Sequence, residues 1–181
     1  MNTMLWKVVL IVKLSGNAQI DAALQHCYAQ VQSVCAFRAT FIPATSTAAC
    51  HVIVRVMPNL SVNGLPDLAA THLHPAPGMP NTPASAEIWI DSQTPAKCTP
   101  ASLQSIIDHE FGSNLLGRPE NFQGVAVDWD SWLYPLNMTT EAQMGAAHEA
   151  WLKANYAVTP PAPVKPKPKP IVVVKPSSRI P

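Results

Sequence analysis

The alternation of lysine and proline after Thr159 limits what this chain can fold into. Thr159 to Pro170 reads TPPAPVKPKPKP. Proline has no amide hydrogen to give a helix or a sheet, and its ring fixes φ. Such a run favours polyproline II, at about 3.1 Å per residue, and acts as a semi-rigid spacer. Eight of the 19 prolines lie from Thr159 onward. The packed body is therefore expected within residues 1–158, with residues 159–181 as an extended Pro/Lys-rich tail. A body of that length has room for one hydrophobic core.

Charge divides at the same boundary. The tail carries Lys165, Lys167, Lys169, Lys175 and Arg179 with no acid, while the body has seven basic residues against eleven acidic. A basic tail on a mildly acidic body fits an interaction tail and argues against a nucleic-acid-binding domain. Ile171 to Val174 reads IVVV, four β-branched residues with the character of a strand added to a partner's sheet or a peptide laid in a groove. Composition equally allows a disordered tail. On the docking reading the partner-binding residues are Pro163, Lys165, Lys167, Lys169, Ile171, Val172, Val173 and Val174. The P-x-x-P spacings at Pro160/Pro163 and Pro163/Pro166 also suit SH3-like modules.

Within the body, apolar periodicity predicts a strand over Leu5–Leu14, a helix over Ala18–Cys35, and strands over Phe37–Ile42 and His51–Met57. Lys7 and Lys13 interrupt the first run and no small-residue cleavage site follows, so it reads as a buried strand and not a signal peptide. No segment approaches the roughly 20 apolar residues of a membrane span. Pro58–Pro83 reads as a long loop and Ile88–Asp91 as a short strand. Thr99 is placed to cap a helix with Pro100 in its first turn, running past Phe111 to Gly117 and Pro119. Asn121–Asn137 reads as irregular. Thr140–Tyr156 reads as a last helix, Thr140 and Gln143 forming a capping box. This order defines an α+β or α/β chain with one mixed sheet. Cys27, Cys35, Cys50 and Cys98 form no C-x-x-C pair and read as free thiols, with disulfides open in an oxidising compartment.

The chemistry-bearing motif is His109-Glu110-Phe111-Gly112-Ser113 on the predicted helix. In an H-E-x-x-H helix two histidines bind zinc and the glutamate polarises the attacking water. Here the second histidine position holds Ser113. Downstream, Ser131-Trp132-Leu133-Tyr134-Pro135 resembles the S-x-M-Y-P turn of the matrixin branch of the metzincins, with Leu133 in place of methionine. Met138 to Ala142 resembles the start of the matrixin C-terminal helix, and Leu68–Asp91 the segment in which a loop leads to the edge strand. Together, across roughly residues 5–156, the chain resembles a metzincin zinc metalloprotease with a degenerate H-E-x-x-H-x-x-G-x-x-H motif.

The resemblance implies an α+β, metzincin-like mixed sheet with an N-terminal helix, a degenerate active-site helix and a C-terminal helix. It also implies lost chemistry, since Ser113 and Pro119 stand where two zinc ligands would be. If the site were active, His109 would be a metal ligand and Glu110 the catalytic residue. His72, His74, His148, Glu120, Asp128 and Asp130 are the candidate substitute ligands, and a site of His109, Glu120 and Asp128 is conceivable. So is a shared metal on His72 and His74. Otherwise His109 is a hydrogen-bonded, partly buried imidazole, Glu110 a solvated or Arg-paired acid, His72 and His74 loop residues, and Trp129 and Trp132 core packing. The expected function is that of a catalytically inactive structural or interaction protein without a cofactor. Its tail would anchor it in a larger assembly, and cytoplasmic synthesis followed by incorporation into a virus or phage particle is the context this reading favours. The alternative is an active zinc metallopeptidase with an altered ligand set around His109 and Glu110.

Overall fold

A computed structural model describes residues 4–118, 128–129 and 135–157. Its elements are β1 (Leu10–Lys13), α1 (Ala18–Val34), β2 (Ala39–Ile42), β3 (Val52–Met57), β4 (Ser61–Val62), β5 (Leu65–Pro66), β6 (Ala69–Ala76), β7 (Met79–Asp91), α2 (Thr94–Lys97), α3 (Pro100–Ile107) and α4 (Ala146–Asn155), with a π-helical stretch, Asp108–Asn114, continuing α3. The protein is thus mixed α+β, with four α-helices among the described residues and a five-stranded sheet in the order β2-β1-β3-β7-β6. β2, β1, β3 and β7 pair in parallel, and β6 pairs antiparallel to β7 at one edge.

Alternation sets the faces of this sheet. Leu10, Val12, Val52, Val54, Ala86, Ile88 and Ile90 are buried, and they lie at matching positions across the register. Ile20, Leu24, Cys27 and Val31 give α1 a buried stripe at helical spacing. Asn17 caps α1 by accepting from the Gln19 and Ile20 amides. Arg55 faces away from that core and pairs with Glu87 on the neighbouring strand at 3.0 Å.

Several sequence expectations need correction. Leu5–Val9 lies outside β1, and Val8 and Val9 are 54% and 56% exposed. β2 starts at Ala39 and β3 at Val52, later than expected. The largest error is Pro58–Pro83, which contains the β4–β5 hairpin, all of β6 and the first residues of β7. β7 therefore has 13 residues. Prolines are compatible with this pairing because they sit toward the free end of an edge ladder, where the register shifts at His74/Pro75 and Pro75/Ala76. Asn63 and Gly64 both have positive φ, as a tight hairpin turn requires. The last helix starts at Ala146, with Gly145 as its N-cap. Thr140 and Gln143 therefore form no capping box; Gln143 instead bridges to Asp128.

The end of the long helix is closed from both directions along the chain. The Trp6 indole donates to the Leu115 carbonyl at 2.7 Å and the Tyr156 hydroxyl to the Leu116 carbonyl at 2.7 Å. The Trp6 amide donates in turn to the Tyr156 hydroxyl at 3.4 Å. Buried helix ends leave carbonyls that must find donors, and two aromatic side chains supply them. Gly117 turns the chain with φ +81°, and a Cβ there would lie 1.8 Å from the Met4 carbonyl oxygen. No helix among the described residues is long and apolar enough to cross a membrane.

Candidate functional site

Thr99 starts the site helix as expected, its hydroxyl accepting from the Ser102 amide. After Ile107 the backbone widens. The Leu115 amide reaches the Glu110 carbonyl at 2.8 Å and the Arg118 amide the Ser113 carbonyl at 3.1 Å, both i→i+5 bonds. Such π-helical turns inside α-helices recur at functional sites. His109 and Ser113, one turn apart, lie on one face of this segment.

His109 is 2% exposed, and its Nδ1–H donates to the Trp129 carbonyl at 2.8 Å. Trp129 is fully buried and packs across Gly112, where a Cβ would come within 2.6 Å of the indole. His148 on α4 is also buried and donates from Nε2 to the Gly112 carbonyl at 3.0 Å. The motif glycine thus admits an indole on one side while its carbonyl receives an imidazole.

Glu110 is 5% exposed. Its Oε2 accepts from the Thr71 hydroxyl at 2.6 Å and from Asn114 Nδ2 at 3.3 Å. Thr71 Oγ1 also lies 3.1 Å from the Glu110 backbone carbonyl. Burial pushes the Glu110 carboxyl above the usual carboxylate range, against the opposing influence of His109 and the Thr71 bond. The expected solvated or Arg-paired acid is therefore corrected to a buried one held by neutral donors.

A second polar cluster faces α1. Asp108 Oδ1 accepts from Gln104 Nε2 at 2.9 Å, and the same Nε2 donates to the Ala23 carbonyl at 3.0 Å. Burial raises the Asp108 carboxyl to about 7. Cys27 shares a hydrogen bond with it, and burial first, then Asp108, pushes its thiol upward. A third feature is the hydroxyl row Thr99, Ser102 and Ser105. These donate to the carbonyls of Met138, Pro135 and Ala101, and Ser102 and Ser105 accept from the Met138 and Ala142 amides. That row laces residues 135–142 onto α3.

Of the substitute ligands, His72, His74, Asp128 and His148 are among the described residues, while Glu120 and Asp130 are not. Asp128 lies against the N-cap of α4, where a Cβ on Gly145 would meet its Oδ2 at 2.0 Å. His72 and His74 stand on β6, not in a loop, opposite Glu87 and Ser85. His72 stacks on Trp89 with ring centroids 4.0 Å apart. Cys27 is buried, Cys35, Cys50 and Cys98 are half-buried, and all four are free thiols. Pro119, Glu120, Asp130, Trp132 and Leu133 lie outside the described residues, as do the tail positions Pro163, Lys165, Lys167, Lys169 and Ile171 to Val174.

The described residues do not fit a catalytic zinc. Such an ion takes three protein ligands and a water. Among the described residues no three His, Cys, Asp or Glu side chains form a group able to hold a metal. Ser113, at the second ligand position, is fully buried, and its Oγ has no hydrogen-bond partner among the described residues. Thr71 was missed in the sequence, although the period-two pattern Ala69, Thr71, Leu73 carries the signal for its facing inward; His148, a candidate substitute ligand there, donates here to the Gly112 carbonyl. No protein-family model and no curated protein matches this chain.

Proposed function

We propose that this chain is a metzincin-like protein without peptidase activity, acting as a structural or interaction component held in a larger assembly, such as a virus or phage particle, by its Pro/Lys-rich tail. The observation that carries the loss of activity is the motif itself. Ser113 presents a buried hydroxyl where a second imidazole would be, and Thr71 engages the Glu110 carboxylate. The ancestry is supported by a mixed sheet with an antiparallel edge strand beside a helix bearing His109 and Glu110. The tail's role rests on composition: a stiff basic spacer followed by a β-branched apolar run suits docking on a protein partner.

Metal analysis of protein prepared without chelator tests the loss of activity. Sub-stoichiometric zinc, unchanged in a His109→Ala variant, is the expected result. Stoichiometric zinc that disappears in His109→Ala would establish the altered-ligand metallopeptidase instead.

A further inference from the structure

We infer that Thr71 and Glu110 form an internal joint that ties the edge strand β6 to the π-helical segment and holds the motif glutamate away from solvent. In an H-E-x-x-H site the glutamate must reach a water on the metal. Here its carboxylate is buried and points at the sheet. Oε2 accepts from the Thr71 hydroxyl at 2.6 Å. The same hydroxyl lies 3.1 Å from the Glu110 carbonyl, so one threonine contacts both the side chain and the backbone of one residue.

Two features make this a joint and not a chance contact. Thr71 pairs in register with Ile88, a fully buried residue of β7, so its own position is fixed by the ladder. The Glu110 carbonyl is also the acceptor of the i→i+5 bond from Leu115. The threonine therefore meets the helix at a widened turn, where Asn114 adds a second donor to Glu110 Oε2 at 3.3 Å. A bonded group on each side holds each partner in place. The contact stands whether or not the chain descends from a peptidase.

The test is a double-mutant cycle on the full chain with Thr71→Val and Glu110→Met, which each remove one side of the bond, read by denaturant unfolding. The expected coupling is about tenfold in the folding equilibrium constant, as for groups in one buried network. Thr71→Ser, which keeps the hydroxyl, is expected to restore the wild-type value. Amide exchange across β6 should quicken in Thr71→Val and return in Thr71→Ser. Strictly additive single effects, or a Thr71→Ser variant as weak as Thr71→Val, would overturn the joint. Neither outcome bears on zinc content, so this test and the metal analysis fail independently.

Discussion

A methyl group added at Gly112 would land 2.6 Å from the Trp129 ring and 3.1 Å from Cys27 Sγ. Neither neighbour is the far end of a flexible chain, so Gly112→Ala is expected to cost about 1–3 kcal/mol by overpacking, read as a lower denaturant midpoint. Asp108 carries the clearest pH signature. Burial lifts its folded-state value from 3.8 to about 7, with Glu141 adding to the lift. Between those values the folded protein holds a proton that the unfolded chain has released. The stability from this group is complete below the unfolded value and is lost as pH rises through 7. Asp108→Asn should therefore flatten the fall in stability between pH 5 and pH 8, with a gain of a few kcal/mol at most at the upper end. Urea titrations at the two pH values check it. His109 was legible at this scale as a buried, hydrogen-bonded imidazole. Glu110 was not, because its partner Thr71 is 39 positions away in sequence and lies in a stretch whose prolines resemble a loop.

Helix α3 illustrates what an element can hide. Its cap, its proline start and its glycine turn were all readable from local chemistry. The π-helical continuation was not, and the residues that bond to it and its end, Thr71, Trp129 and Tyr156, come from elsewhere in the chain. Thr99, Ser102 and Ser105 look like weak helix formers, yet they act as a row of backbone donors and acceptors for residues 135–142. Ser105→Ala removes the acceptor of the Ala142 amide, a buried bond at 2.7 Å. Leaving that amide unpaired should cost about 1–3 kcal/mol, and the Ala142 amide should exchange faster while α1 keeps its protection. β6 was read as loop and β7 was shortened in the sequence reading for a related reason. Proline spacing reports where an amide is missing, not which side of a strand it would have served.

On the scale of the whole molecule, one mixed sheet was predictable from the order of patterns, but its edge strand β6 was not, since it lies in the stretch Pro58–Pro83 that reads as a loop. The last helix began later than read because Asp128 and Ser105 hold the preceding residues in irregular backbone. Removing residues 159–181 is expected to leave the thermal midpoint of the body within about 1 °C, since small surface changes seldom exceed 0.5 kcal/mol, while abolishing partner capture. Scanning calorimetry and a pull-down with the two chain lengths check both halves. The closure of the helix end adds a mechanical consequence. Tyr156, the last residue of this junction, holds the Ala36 amide, the Leu116 carbonyl and the Trp6 amide together. A pull on the end of α4 is passed at that tyrosine to all three groups at once. One of these groups closes the helix bearing His109, so the end of α4 and that helix share one line of force.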